Sequence, residues 1–235
     1  MTHKSGLEQV QDELVDAYAW GEVVRARALV SQLRAQPRKA RALLEAMLAN
    51  PDARVRQAAA FGLGVLGGAA SARRLEQQLA LEEARGDYDG ESVVEVITEA
   101  LGHIEEAGAR ATLVRRLERL VASEPDPGDV STLARALWRR RHLDLLPAVR
   151  RSLERLDPRA SRALRGLSLL LEKSPEALRT WAGDPSVPAE HKTGVVTLLE
   201  EDLPEALTPT LPSFISAAHA LAEVAASQQG AASYS

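Results

Sequence analysis

The chain of 235 residues contains no cysteine. Disulfide bonds, thiol nucleophiles, cysteine-ligated zinc and iron–sulfur clusters are therefore excluded. Aromatic residues make up only 3% of the chain, whereas alanine and leucine, which favour helices, are abundant. Because strands favour aromatic and β-branched side chains, this composition predicts a helical protein rather than a large sheet.

The sequence also lacks a long apolar run and has no apolar segment at its N-terminus. A bilayer-spanning helix needs about 20 such residues, and a secretory signal needs a shorter apolar stretch. We therefore predict no membrane association and a cytoplasmic location. Five scattered histidines, with no glycine-rich phosphate loop and no nucleophile elbow, predict no metal site, no cofactor and no enzymatic activity.

An internal repeat is the clearest pattern in the chain, and a period of its length is typical of helical-repeat proteins. Residues 51–80 align with residues 89–121 at a shift of 38. The matched pairs are Val55 with Val93, Leu63 with Leu101, Gly64 with Gly102, Leu66 with Ile104, Leu75 with Leu113 and Leu79 with Leu117. A third copy follows at a shift of about 36, where the tetrapeptide LERL of residues 117–120 recurs at residues 153–156.

Each repeat is predicted to consist of two amphipathic helices, since its apolar residues recur at helical spacing. We expect Asn50 and Pro51 to start one helix, and Gly67 and Gly68 to separate two helices. Residues 82–91 are expected to form a long, solvated acidic loop. A single pair of helices cannot bury its apolar face alone, so the pairs must stack on one another.

The repeat resembles HEAT repeats, in particular the short bacterial class typified by phycobilisome-lyase repeats. The first copy shows this pattern at Asp52, Val55, Arg56, Ala58, Ala59, Gly62, Leu63, Gly64, Leu66 and Gly67. The second copy shows it in part, at Glu91, Val93, Ala100, Leu101, Gly102 and Ile104. The resemblance implies an all-α fold, namely a right-handed α–α superhelix of about five to six helix pairs.

We predict one HEAT-like domain over residues 1–235. It is expected to comprise an N-terminal cap and a first pair over residues 5–49, followed by two clear repeats over residues 51–122. Degenerate repeats and a C-terminal cap follow over residues 127–227, and residues 228–235 form a flexible tail.

Positive charge is concentrated in the middle of the chain. The net charge is −4, yet residues 135–165 contain ten arginines and only three acidic residues. Such an asymmetry indicates an acidic partner or a phosphate backbone.

In HEAT architecture the second helix of each pair lines the concave face. The repeat register places Arg115 over Arg151 and Arg119 over Arg155, which predicts a ladder of four guanidinium groups on that face. The alternative is that these are ordinary solvated arginines. The predicted partner-binding residues are Arg115, Arg116, Arg119, Arg150, Arg151, Arg155, Arg140 and Trp138.

Trp138 stands at the register position that Gly64 and Gly102 occupy in the earlier repeats. Two interpretations are open for it. The ring either fills a wider gap between helices, as large aromatic residues usually do, or forms a stacking platform beside the neighbouring arginines.

Three functions remain open. The first is a non-enzymatic scaffold or adaptor that binds an acidic segment of another protein in the concave groove. The second is DNA binding, as in the HEAT-like DNA glycosylases, where Asp144, Trp138 and the arginines would take the functional roles. The third is a bilin lyase-like protein that handles a cofactor, which the repeat class alone suggests. We favour the first, because it needs no feature beyond those present. The oligomeric state does not follow from the sequence.

Overall fold

The fold is all-α across the part of the chain that the structure describes. In a computed structural model, the described residues are 6–188, 191, 192, 195 and 198. Their elements are α1 (Gly6–Ala19), α2 (Val23–Leu33), α3 (Pro37–Met47), α4 (Ala53–Leu66), α5 (Gly68–Glu83), α6 (Tyr88–His103), α7 (Ala107–Leu120), α8 (Pro127–Arg139), a 3-10 helix (Leu143–Leu145), α9 (Leu146–Leu153), α10 (Arg162–Glu172) and α11 (Pro175–Gly183). The predicted all-α class is confirmed. Within these residues no helix has both the length and the apolar character needed to cross a bilayer.

The helices are arranged as repeats. Contacts divide the chain into two compact units, with the boundary after Leu113 within α7. In the first unit α4 packs against α2, α3, α5 and α6, while α1 packs on α2 and α4. In the second unit α10 packs on α8 and α9. In both units the first helix of one repeat packs on the first helix of the next repeat, as α4 does on α6 and α8 does on α10. This arrangement confirms the predicted HEAT-like repeat.

The contact between α4 and α6 depends on a missing side chain. A Cβ atom placed on Gly64 would lie 2.8 Å from the Cβ atom of Ala100 and 3.0 Å from its Cα atom. Any side chain at this position would therefore force the helices apart. The close approach buries Leu63 and Leu101 completely, which explains why the repeat requires a glycine next to a leucine here.

Two predicted boundaries are wrong. α4 begins at Ala53 rather than at Pro51, because the Asp52 carboxylate is the N-cap and accepts a hydrogen bond from the Arg54 N–H. The predicted loop over residues 82–91 is shorter, since α5 continues to Glu83 and α6 begins at Tyr88. The predicted break at Gly67 and Gly68 is confirmed by φ values of 69° and 82°.

The acidic residues expected in that loop have structural roles instead. The Asp87 carboxylate accepts a hydrogen bond of 2.7 Å from the Gly90 N–H at the start of α6. This bond and the neighbouring Arg85 guanidinium lower the pKa of Asp87. Glu82 is buried within the first unit, where it pairs with Arg56.

The Arg56–Glu82 pair joins the start of α4 to the end of α5. Arg56 donates to both Glu82 oxygens at 2.7 and 3.2 Å, and to the carbonyls of Asn50 and Pro51 at 3.0 and 2.8 Å. The Gln78 amide donates to the same carboxylate at 2.6 Å. Because both charged side chains are almost completely buried, these bonds replace the water that each would otherwise hold.

A half-buried tyrosine lies in the same unit. The rings of Tyr18 on α1 and Phe61 on α4 are 5.2 Å apart. Burial, together with the negative charges of Glu99 and Glu95, raises the pKa of Tyr18 to about 12. The phenol therefore stays neutral over the normal pH range, as its packing against α4 requires.

The predicted domain organisation stays a prediction, and so does the handedness of the superhelix. α1 occupies the region predicted as the N-terminal cap. The predicted C-terminal cap at the end of the 127–227 segment and the tail over residues 228–235 lie outside the described residues.

Candidate protein-binding site on α7 and α9

Two helices of the second unit carry the same exposed pattern of charge. The α7 strip consists of Arg115, Glu118 and Arg119, and the α9 strip consists of Arg151 on α9 with Glu154 and Arg155 in the turn that follows this helix. All six side chains are exposed. Spacings of three and four residues place the α7 set on one face of its helix.

One ion pair joins the two strips. Arg151 Nη2 lies 3.2 Å from the Glu118 carboxylate, and both side chains are more than half exposed. The bond connects α7 with α9. It also engages Arg151, which the prediction treated as available to a partner.

A depression of about 310 Å³ lies between the strips. It is lined by Glu118, Val121, Ala148, Arg151, Ser152, Glu154 and Arg155. Its small residues offer little polarity, because the Ser152 hydroxyl already donates to the carbonyl of Ala148 at 2.9 Å. Charged side chains of both signs therefore surround a small and largely apolar floor.

Two residues at this depression are available for contact. Neither Arg155 nor Glu154 forms a side-chain hydrogen bond or ion pair with another residue in the described part of the chain. Arg155 thus offers an uncommitted guanidinium group beside one that Glu118 already neutralises. Such a group binds a carboxylate through two parallel hydrogen bonds.

Arg116 is not on the surface, so its predicted position beside the ladder is wrong. It is 3% exposed, and its Nη2 atom lies 3.5 Å from the carboxylate of Asp129 at the start of α8. The equivalent positions in the neighbouring repeats, Gln78 and Ser152, are buried as well. The repeat register therefore contained the signal, since a glutamine and a serine replace Arg116 at matching positions.

Arg150 points toward a different helix. Its Nη2 atom lies 3.1 Å from a Glu172 oxygen on α10, and the Ser168 hydroxyl donates to the same carboxylate at 2.9 Å. Arg150 is exposed but supports the contact of α9 with α10. The structure does not group it with the two strips.

Trp138 is 1% exposed, so the stacking-platform interpretation is wrong and the packing interpretation is confirmed. The Arg141 guanidinium carbon lies 4.6 Å from the centre of the Trp138 ring. Arg140, which precedes Arg141 in the sequence, is half-buried. A buried ring cannot stack on a DNA base, so the role that DNA binding would have given Trp138 is lost.

Asp144 lies on the exposed 3-10 helix. Its carboxylate is 3.1 Å from His142 Nδ1, and its backbone N–H donates to the same nitrogen at 3.2 Å. Asp144 is thus part of a short turn in which the His142 side chain caps the 3-10 helix.

The sequence analysis missed the two carboxylates of the site. Glu118 and Glu154 are the second residues of the two LERL segments. The alignment used those segments only to place the leucines and arginines. The strips therefore alternate in sign, with four arginines and two glutamates, instead of forming a purely basic ladder.

No protein-family model and no curated protein matches the chain. Among solved structures, it is similar to the complex of CpcE and CpcF of phycocyanin lyase from Nostoc sp. PCC7120. The sequence identity is 16%, the TM-score is 0.49, and the match covers 94% of this chain and 96% of that one.

This match corrects one prediction. The expectation of no enzymatic activity is contradicted, because the matched protein is named as a lyase. The correction extends no further, since a likeness at this identity and TM-score assigns no activity to the present chain.

Proposed function

We propose that the chain is a protein-binding helical-repeat scaffold, and that its α7 and α9 strips bind an acidic segment of a partner protein. The observation that carries this proposal is the depression between the strips, which is bordered by Arg151 and the uncommitted Arg155. Repeat proteins of stacked helices commonly bind partners along such surfaces.

Charge favours an acidic partner. Across the two strips the arginines exceed the glutamates by two, so a negatively charged segment is attracted. Guanidinium groups bind carboxylates with a defined geometry, which adds orientation to attraction. The two glutamates repel a segment that is acidic throughout, and thus favour one in which acidic residues alternate with other residues.

The floor of the depression adds an apolar contact. Val121 and Ala148 line it together with Ser152, whose hydroxyl is already satisfied. Interfaces typically place an apolar contact at their centre and charged residues at the rim. We therefore expect one apolar side chain of the partner to enter the depression between flanking carboxylates.

The test is site-specific cross-linking. A photo-reactive amino acid at Val121 should cross-link to a partner segment rich in Asp and Glu, and mass spectrometry identifies the residue joined. The same group at exposed Ala80 on α5 should not label that segment. Cross-links to nucleic acid, or to segments without excess negative charge, would refute the proposal.

Charge reversal supplies the second measurement. The variant Arg115→Glu, Arg119→Glu, Arg151→Glu and Arg155→Glu should abolish cross-linking while circular dichroism stays unchanged. A matched variant reverses four exposed cations of the first unit, namely Arg27, Arg38, Lys39 and Arg73. Because both variants change the net charge equally, loss of binding in the matched variant as well would show a nonspecific effect of charge.

The other functions can be tested in parallel. Salt-sensitive retention of duplex DNA in a gel would favour the nucleic-acid alternative, and a spectral change on adding a bilin would favour the cofactor-handling one. The cytoplasmic location stays a prediction.

A further inference from the structure

Tyr88 is a large aromatic residue that its own chain leaves uncovered. It is the first residue of α6, and its side chain is 82% exposed. It forms no hydrogen bond or ring contact with any residue that the structure describes. Tyrosine rings are large and rigid, so an uncovered ring contributes strongly to binding when a partner buries it.

The backbone around Tyr88 is held firmly in place. The Asp87 carboxylate accepts a hydrogen bond of 2.7 Å from the Gly90 N–H. A Cβ atom placed on Gly90 would lie 2.7 Å from the carbonyl oxygen of Glu82, so the start of α6 lies directly against the end of α5. The segment is therefore preorganised, and binding it costs little ordering of the chain.

Two exposed carboxylates accompany Tyr88 in the first turn of α6, namely Asp89 and Glu91. In the part of the chain that the structure describes, neither forms a side-chain hydrogen bond or an ion pair. Arg85, whose charge also acts on Asp89, is held by Asp87 at 3.3 Å and by Glu82 at 3.6 Å. Glu91 lies three residues beyond Tyr88 and so shares its face of the helix.

The other large apolar residues that are exposed in the described chain lack this combination. They are Trp20, Val23, Val24, Leu81 and Leu143. The first three lie close in sequence to the exposed cation Arg27, and Leu143 follows Arg141, which a guanidinium site would repel. Leu81 is followed by Glu82, whose carboxylate is already paired with Arg56. Within the described residues, Tyr88 is therefore the best match to an arginine-bordered depression.

On the basis of the function proposed above, we propose that the acidic segment bound by the α7 and α9 strips is residues 88–91 of a second copy of this chain. Tyr88 of that copy fills the depression of about 310 Å³ and covers Val121 and Ala148 on its floor. An apolar centre with a charged rim is the usual arrangement of a protein interface.

The charges of the two surfaces match. Asp89 and Glu91 bring two carboxylates, and Arg155 offers a guanidinium group that no described residue engages. Arg151 supplies a second one when it exchanges Glu118 for the incoming carboxylate, since an exposed ion pair exchanges at little cost. Each carboxylate thus gains one guanidinium partner.

The contact joins two different surfaces, so copies associate head to tail. A copy that has bound a neighbour through its strips still offers its own Tyr88, and such contacts give rings or open chains. We expect the weight-average mass of the wild type to rise with concentration in analytical ultracentrifugation. A mass that stays monomeric at every concentration would overturn this partner.

Two variants test the two surfaces separately. Tyr88→Ala removes the ring, Arg155→Glu reverses the cation, and each should weaken self-association about tenfold or more. An equimolar mixture of the two variants should form a dimer and nothing larger, because one copy retains only its strips and the other only its Tyr88. Failure of the mixture to form a dimer, or a single variant that assembles as the wild type does, would contradict the proposal.

The matched controls are Trp20→Ala, at an exposed aromatic residue, and Arg162→Glu, at an exposed arginine on α10. Both should assemble as the wild type does. Circular dichroism and thermal melting establish that every variant is folded. Equal loss of assembly in the controls would mean that general hydrophobicity or charge drives association, and would refute the assigned contact.

Cross-linking identifies the segment that is bound. An unlabelled chain with a photo-reactive amino acid at Val121 is mixed with an isotope-labelled wild-type chain, so that mixed products come from two copies. The expected product joins Val121 to residues 88–91 of the labelled chain. Products confined to one chain, or none between two chains, would overturn the second copy as partner. An acidic segment of another protein cross-linked at Val121 would then still support the proposed function.

Discussion

Two of the arginine–glutamate pairs, Arg56 with Glu82 and Arg151 with Glu118, differ above all in their exposure. Arg56 and Glu82 in the first unit are 3% and 1% exposed and lie 2.7 Å apart. Arg151 and Glu118 in the second unit are 62% and 53% exposed and lie 3.2 Å apart. Both pairs join two helices, yet only the buried pair is surrounded by further donors and acceptors.

The comparison separates a structural ion pair from an exchangeable one. Breaking a buried pair leaves a charge without water or partner, whereas an exposed pair exchanges its partner for water at little cost. Arg151 can therefore release Glu118 for a partner carboxylate. Arg56 cannot release Glu82 without loss of the packing between α4 and α5.

The largest effect is expected from Glu82→Ala. This change leaves the Arg56 guanidinium buried without a counterion and should destabilise the protein by about 3–5 kcal/mol. Urea denaturation followed by circular dichroism measures the loss. Glu106→Ala, at an exposed glutamate of the same unit, is the control and should change stability little. Equal losses in both variants would contradict the structural role of the pair.

A smaller loss is expected when both partners are replaced. The double variant Arg56→Met and Glu82→Leu removes both charges together, so the carbonyls of Asn50 and Pro51, the Gln78 amide and the half-exposed Arg85 lose partners. We expect it to be destabilised by about 2 kcal/mol, less than Glu82→Ala alone. A loss in the double variant equal to the sum of the single losses would show that the two residues act independently.

Arg116→Met tests an intermediate case. Arg116 is buried, but its partner Asp129 is half exposed and returns to water when the arginine is removed. The expected loss is about 1.5 kcal/mol. Calorimetric melting provides the measurement, with Arg115→Met at the exposed neighbouring position as the control. Equal losses of stability in the Arg115→Met and Arg116→Met variants would contradict the structural role of the buried Arg116.

Arg151→Gln should have the smallest effect on stability, about 0–1 kcal/mol. High salt should reduce even this difference, because exposed charges are screened. Cross-linking of the acidic partner at Val121 should nevertheless decrease strongly. A clearly destabilised variant would show that the Arg151–Glu118 pair has a structural role like that of Arg56 and Glu82, and would contradict the comparison.

The fold could largely be predicted from the sequence, because the apolar positions repeat with the helical period. The register that aligned LERL with LERL predicted a ladder of four arginines, whereas the structure shows an ion pair of Arg151 with Glu118 between these two segments. Single positions beside the strips were harder to predict. Arg115 and Arg116 are adjacent identical residues, and only a comparison with the uncharged Gln78 and Ser152 at the equivalent positions distinguishes the buried one.

Other features depended on contacts distant in the sequence. Glu82 lies 26 residues beyond Arg56, so its acidic character alone suggested a solvated loop.

The start of α4 was misplaced for a local reason. Asn50, Pro51 and Asp52 all favour helix starts, and only the bond to the Arg54 N–H distinguishes the N-cap.

The position shared by Gly64 and Trp138 has a consequence for how the repeats relate to one another. In the first unit any added atom at this position collides with Ala100, whereas in the second unit the same position buries an indole. The copies are therefore not exchangeable modules. A chimera with the α4–α5 pair in place of the α8–α9 pair would leave a void the size of a tryptophan side chain. In the reverse exchange, the indole would collide with Ala100 and keep α6 from packing against the inserted helix. Each copy has diverged to fit only its own neighbours, so inserting or deleting whole repeats is not a neutral way to lengthen or shorten this protein.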